Sequence, residues 1–124
     1  MILGGKSLGR IGEDVAVEYL RREGYQILDR NYQRRWGEID IVAKKGKDII
    51  FCEVKTLKKP REDSFLPEES VRNSKKKSLI KTAKTYLSEN KYPENQNWQI
   101  DVIGIEFFEE KKCRLRHTKN ALTE

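Results

Sequence analysis

Residues 37–55 read GEIDIVAKKGKDIIFCEVK, in which two apolar stretches flank a short polar turn. The pattern predicts one strand over residues 38–43 and another over residues 49–55, since each is rich in residues that favour strands. Gly46 lies between them, where a tight hairpin turn requires a positive φ. The segment is therefore expected to form an antiparallel hairpin.

The hairpin places charged side chains on one of its faces. Side chains alternate across a strand, so Asp40 shares a face with Glu38 and Val42, and Glu53 shares one with Lys55. A two-residue turn at Gly46–Lys47 places Asp40 directly opposite Glu53. A four-residue turn makes them diagonal neighbours on the same face, and a three-residue turn puts them on opposite faces. The other face is expected to be core, with Ile39, Ile41, Ala43, Ile50, Cys52 and Val54.

The rest of the chain predicts an α/β domain around this hairpin. Apolar residues at helical spacing indicate helices over residues 7–23 and 73–89, the first capped by Ser7 and ended by Gly24. Strands are expected over residues 25–28, extending to 32, over 98–108 and, more weakly, over 114–118. This order predicts one domain over residues 1–124, with a mixed β-sheet flanked by helices.

Composition narrows the class of protein. The 124 residues include 26 Lys and Arg against 20 Asp and Glu, which gives a net charge of +6. The longest apolar run, residues 49–52, is too short to cross a membrane, and the first residues lack the plan of a signal peptide. Two cysteines make neither a disulfide framework nor a zinc spacing. We therefore expect a cytoplasmic protein without a membrane partner.

The carboxylates and lysine on the hairpin predict a site for a divalent cation. Two converging carboxylates repel each other unless a cation intervenes, and Mg²⁺ prefers oxygen ligands. A bound ion could activate water against a phosphodiester, with Lys55 close by. The plain alternative is a set of solvated charges at a strand end. Of the four Glu-x-Lys triplets, only that of Glu53 lies in a strongly apolar strand with an Asp on the neighbouring strand.

Three further residues bear on the type of site. Glu13 lies at the edge of the apolar stripe of the first helix, and it could equally be an ordinary acidic residue favoured by the helix dipole. His117 is the only histidine, so a nucleophile activated by histidine is not expected. Asp101 shares a face with apolar neighbours and is interpreted as a structural partner.

The chain contains GRIGE at residues 9–13, GEIDIV at 37–42 and FCEVK at 51–55. These motifs show a resemblance to the YraN family of small bacterial proteins. It continues through IDVI at residues 100–103 to His117 and Asn120. The order and spacing of these motifs match over nearly the whole chain.

That family is similar to archaeal Holliday junction resolvases and to PD-(D/E)XK nucleases. The resemblance implies a restriction-endonuclease-like fold and nuclease chemistry. Together with the hairpin face, it leads us to expect an endonuclease that uses Mg²⁺ or Mn²⁺ on DNA. The expected DNA is structured or branched, with single-stranded DNA as a further possible partner. The resemblance also implies Asp40 and Glu53 as metal ligands, Lys55 as the catalytic lysine and Glu13 as a further acidic ligand. Leu57 departs from the family, which often has Arg there, so the substrate contact could instead come from Lys58, Lys59 and Arg61.

The positive charge also has a definite place in the chain. Residues 55–91 carry the whole net excess of +6, which favours contacts with nucleic-acid phosphates but also fits an ordinary solvated helix face. Trp36 could stack on an unpaired base or pack over the sheet. A homodimer is expected if two strands are cut symmetrically, and a non-catalytic nucleic-acid-binding module is the alternative. The predicted nucleic-acid-binding residues are Arg34, Arg35, Trp36, Lys58, Lys59, Arg61, Arg72, Lys75 and Lys76.

Overall fold

A computed structural model describes residues 7–58, 73–109 and 112–122 of the chain. The elements in chain order are α1 (Leu8–Arg22), β1 (Gln26–Arg34), β2 (Gly37–Lys45), β3 (Asp48–Leu57), α2 (Asn73–Glu89), β4 (Trp98–Glu109) and β5 (Lys112–Leu122). The strands form one sheet in the order β1-β2-β3-β4-β5. All neighbours are antiparallel except β3 and β4, which are parallel and are connected through α2.

Helix α1 has clear sequence signals at both ends. Ser7 precedes it, and the Ser7 hydroxyl accepts a hydrogen bond from the Arg10 backbone N–H at 3.3 Å. At the other end Gly24 has a φ of 88°, and the Tyr25 N–H returns to the Leu20 carbonyl at 2.9 Å. The helix predicted over residues 7–23 is thereby confirmed.

Gly12 determines how closely α1 approaches the sheet. A Cβ at this position would collide with the hydroxyl of Thr56 on β3, so no larger residue fits without a shift. Gly9 is different, because a Cβ there would meet nothing within 4 Å. Close contact between α1 and β3 therefore depends on one of the two glycines in this turn of the helix.

The sheet has a core on each face rather than on one. Helix α1 covers a cluster that includes Ile41 and Cys52, and α2 covers a second cluster that includes Val42 and Phe51. The expectation that Ile39 lies on the same face as Ile41 is wrong. Ile39 belongs to the cluster under α2, where it packs with Tyr32, its partner residue on β1.

The hairpin register confirms the two-residue turn. Lys45 pairs with Asp48, and Gly46 has a φ of 61°, so Gly46 and Lys47 alone form the turn. The outer strands are longer than the sequence pattern indicates, because β1 continues to Arg34 and β5 spans Lys112–Leu122. The order α-β-β-β-α-β-β and the mixed sheet with a helix on each face confirm the predicted α/β fold class.

Neither described helix is long and apolar enough to cross a membrane.

Candidate active site

Asp40 and Glu53 meet where the β2–β3 ladder ends. The last paired residues are Ile41 and Cys52, and one further step along the same register brings Asp40 opposite Glu53. In place of the next ladder bond, Oδ2 of Asp40 accepts a hydrogen bond from the backbone N–H of Val54 at 2.7 Å. The carboxylate of Asp40 is thus fixed across the gap between the two strands.

Both carboxyl groups are buried. Asp40 is 8% exposed and Glu53 is 4% exposed. The pKa of Asp40 is raised to about 8, first by burial and then by the charge and a side-chain hydrogen bond of Glu53, while the hydrogen bond from the Val54 N–H opposes the shift. Near neutral pH Asp40 therefore keeps its proton unless a cation takes the place of that proton.

Two lysines supply positive charge to this pair. Nζ of Lys55, two residues along β3, lies 3.3 Å from Oε2 of Glu53. Nζ of Lys75, in the first turns of α2, lies 3.4 Å from the same oxygen. Lys55 was predicted at the site, whereas Lys75 was predicted only as a nucleic-acid contact. Its position beside Glu53 depends on the packing of α2, which no local pattern reveals.

Glu13 approaches from the opposite helix. Its side chain is 17% exposed and accepts a hydrogen bond from the Asn31 side-chain amide at 3.1 Å. Burial raises the pKa of Glu13, and the charge of Arg30 opposes this shift. The charge of Glu13 also acts on Asp40, raising its pKa further. Glu13 is therefore near enough to influence the pair, but Asn31 and Arg30 hold it in a separate set of contacts.

The donor set suits a hard divalent ion bound by two carboxylates. Among the described residues, no three Asp, Glu, His or Cys side chains gather tightly enough to form a metal centre by themselves. Mg²⁺ does not require that, because it is commonly held by one or two carboxylates, several waters and substrate phosphates. Asp40 and Glu53 provide those two carboxylates, and their mutual repulsion would be relieved by the ion.

The first group of predicted nucleic-acid contacts lies at the β1–β2 turn. Arg35 and Trp36 form this two-residue turn and are both exposed. Arg34 makes contacts within the protein. Its guanidinium contacts the Glu89 carboxylate and lies 4.3 Å from the centre of the Tyr32 ring. The structure thus brings Arg35 and Trp36 to the surface and ties Arg34 to α2.

The second group follows β3. Lys58 is exposed directly after Leu57, which is 42% exposed, and Lys75 and Lys76 are on α2. Lys59, Arg61 and Arg72 lie outside the described residues.

One polar network was missed by the sequence analysis. Asp101 is completely buried and accepts hydrogen bonds from the Gln99 side chain and the Asn120 backbone N–H, each at 2.9 Å. Its other oxygen lies 2.6 Å from Nε2 of His117, whose Nδ1 lies 2.7 Å from the Tyr19 hydroxyl. The structural role inferred for Asp101 is correct, but its partners come from three separate parts of the chain.

Comparison with known proteins places the chain in a family. The model of Uncharacterised protein family UPF0102 matches residues 12–105. A UPF0102 protein of Alkaliphilus oremlandii is 40% identical over 117 residues, covering 94% of this chain and 97% of that one. A UPF0102 protein of Carboxydothermus hydrogenoformans is 44% identical over 119 residues, covering 94% and 96%.

Among solved structures, the chain resembles "The structure of Pyrococcus Furiosus SfsA in complex with Ca2+" with a TM-score of 0.36 and 16% identity. That match covers 94% of this chain and 62% of the other, and a likeness at this level carries no weight for the chemistry. The family match is much stronger than this structural match, because it spans most of the chain and includes Glu13, Asp40, Glu53 and Lys55. The chain belongs to the UPF0102 family, which is also called the YraN family.

Proposed function

We propose that this protein is a metal-dependent endonuclease that hydrolyses phosphodiester bonds in structured or branched DNA. The observation that carries the proposal is the buried pair of Asp40 and Glu53 with two lysine ammonium groups beside Glu53. Two carboxylates and adjacent cations at one sheet end are what phosphodiester hydrolysis with Mg²⁺ or Mn²⁺ requires.

Each residue of the site has a role that follows from its position. Asp40 and Glu53 would hold Mg²⁺ or Mn²⁺, which when bound supplies water activation and offsets phosphate charge. Lys55 can donate a hydrogen bond to the attacking water or to a phosphate oxygen, since its Nζ lies 3.3 Å from Glu53. The charge of Glu13, on α1, raises the pKa of Asp40.

Lys75 is placed to contact a substrate phosphate. Its Nζ is 3.4 Å from Glu53, while its side chain is still 44% exposed. An ammonium group in that position can turn from the carboxylate toward an incoming phosphate. Lys75 would therefore bind the substrate on the α2 side of the site, opposite the strand that carries Lys55.

The direct test is cleavage of flap, junction, single-stranded and duplex DNA in Mn²⁺ by purified protein. We expect cleavage that is lost in Asp40→Asn and in Glu53→Gln, both near-isosteric changes, and kept in Glu18→Gln, an exposed acidic residue on α1. Cleavage that persists unchanged in both site variants would contradict the proposal. Mn²⁺ titration calorimetry on the same variants would show whether the pair binds the ion.

A second candidate is a nucleic-acid-binding module of the same fold without catalysis. The observation in its favour is that Lys55 and Lys75 already neutralise Glu53 within the protein. Salt-dependent DNA binding together with no detectable Mn²⁺ binding would establish this candidate. Metal-dependent turnover would exclude it.

A further inference from the structure

A groove of about 800 Å³ runs along the outer face of α2. The described residues that line it include four lysines, with the aliphatic side chain of Ile80 among them and Glu89 at the far end. The lysines are Lys76, Lys77, Lys81 and Lys84. A cationic groove with an apolar patch suits a polyanion that also has flat or apolar parts.

The groove begins near the amino-terminal end of α2, one residue after a lysine that contacts the carboxylate pair. Lys75, the residue before its first lysine, contacts Glu53 at 3.4 Å. From Lys76 the groove follows the helix to Glu89, about 20 Å away at 1.5 Å per residue. A strand that leaves the carboxylates would meet lysines over about the first 12 Å of the groove, from Lys76 to Lys84, before it reaches Glu89.

Trp36 stands at the edge of this groove and is held there by α2. The Ser78 hydroxyl donates a hydrogen bond to the Trp36 carbonyl. A Cβ at Gly37, the next residue, would lie 2.5 Å from the hydroxyls of both Ser78 and Thr82, so the turn is seated directly on the helix. The indole is nevertheless 37% exposed.

Lys81 links the aromatic ring to the groove. Its Nζ lies 4.4 Å from the centre of the Trp36 ring, and the same side chain lines the groove. Trp36 is partly exposed and belongs to neither core cluster of the described residues. An exposed indole next to a row of cations is the combination that binds unpaired nucleotides, because each base offers a flat face for stacking.

We propose that the α2 groove binds an unpaired DNA strand that leaves the carboxylate pair, with its phosphates on the lysines and one base stacked on Trp36. The direction of the strand rests on the proposed function, whereas the groove and the indole do not. A paired duplex offers no free base face except at its ends, so the site discriminates in favour of single-stranded tails. At about 3.4 Å per stacked nucleotide the groove accommodates roughly six nucleotides.

Binding can be tested without cleavage, in EDTA. The chain has two tryptophans, so Trp98→Phe leaves Trp36 as the only indole, and Trp36→Phe leaves Trp98. Oligo(dT) of 2, 4, 6, 8 and 12 nucleotides should quench the emission of the Trp98→Phe protein, with affinity rising to a plateau near six. A blunt hairpin duplex should quench it much less. The Trp36→Phe protein should show no comparable quenching.

Variants separate stacking from charge. Trp36→Ala should weaken oligo(dT) binding about fivefold to a hundredfold. The double variant Lys77→Gln/Lys81→Gln should flatten the slope of log affinity against log salt by about 1.4. The matched control Lys44→Gln/Lys47→Gln removes the same charge at the opposite end of the hairpin and should leave that slope unchanged.

Three results would overturn the proposal: equal affinity for single strand and duplex, no quenching of Trp36, or equal effects of the two double variants. Tight binding of an acidic peptide with no binding of oligo(dT) would also overturn it and would assign the groove to a protein. Because the binding experiment measures no cleavage, its result would remain valid even if the protein proved not to be a nuclease. Failure of this test would likewise leave the cleavage experiment open.

Discussion

Nζ of Lys75 on α2 lies 3.4 Å from Oε2 of Glu53 on β3, so the helix places a cation against a buried carboxylate. An ammonium group and a divalent ion compete for the same oxygen. The contact therefore sets both the affinity of the pair for a metal and the readiness of Lys75 to engage a phosphate.

Lys75→Ala should bind Mn²⁺ more tightly than the parent protein, because a competing cation is removed from Glu53. The side chain is 44% exposed, so the gain is modest, about threefold to fivefold. Calorimetric titration of Mn²⁺ measures it. Lys76→Ala is the matched control, since it removes the same charge one residue away, and a similar gain there would mean that only net charge matters.

Asp40→Asn should change how stability depends on pH. Folded Asp40 keeps its proton up to about pH 8, whereas an unfolded Asp loses it near pH 4. Between these values the folded state binds the extra proton, so the contribution of Asp40 to the free energy of unfolding falls as pH rises. Asn carries no such proton, so the variant should gain at least about 2 kcal/mol relative to the parent between pH 4 and pH 8.

Urea unfolding at several pH values measures this gain. Asp29→Asn, at an exposed position on β1, is the control and should follow the pH dependence of the parent protein. A constant difference between Asp40→Asn and the parent across this range would show that Asp40 is already ionised in the folded protein.

Gly12→Ala should destabilise the protein, because the new methyl group would collide with Thr56. The expected cost is about 1–3 kcal/mol, since overpacking at a helix–sheet contact outweighs the better helix propensity of Ala. Gly9→Ala should be neutral or stabilising by up to about 1 kcal/mol, because its Cβ would meet nothing within 4 Å. Thermal unfolding of both variants distinguishes contact from propensity. Recovery of stability in Gly12→Ala/Thr56→Ala would confirm the partner.

His117→Ala should leave one oxygen of the buried Asp101 carboxylate without its partner. The expected loss is about 2–4 kcal/mol in the free energy of unfolding, because an unsatisfied buried charge is costly. Tyr19→Phe removes only the outer hydrogen bond of the network and should cost about 1 kcal/mol. Equal losses in urea unfolding would mean that the contact between α1 and β5, rather than the carboxylate, provides the stability.

The sequence predicts the acidic half of the site well because this half is local. Asp40 and Glu53 lie on one hairpin, and alternation across a two-residue turn is enough to bring them together. The same local logic predicts both helices and the position of Lys55. Local logic does not predict the position of Ile39. Both faces of the sheet are buried, so alternation alone does not say which helix covers a residue near the end of a strand.

The contacts that α2 makes with the site depend on long-range packing and could not be predicted from the sequence. Lys75 reaches Glu53 and Ser78 reaches Trp36 only when α2 lies across the sheet. The network of Asp101, His117 and Tyr19 joins two strands and a helix in the same way. In each case the residue type indicated a polar contact, but the partner was set by the tertiary fold.

The hairpin and the contacts of α2 are also expected to form at different stages of folding. The ladder between β2 and β3 closes a loop of two residues, so bringing the carboxylates together costs little chain entropy and can occur early. The parallel pairing of β3 with β4 must wait until the chain has passed through α2 and returned. A nascent chain thus carries both carboxylates before it carries Lys75, the lysine of α2 that contacts Glu53. A divalent cation present during refolding would favour the hairpin at that stage, and should speed the rate-limiting step if the carboxylates are already paired there.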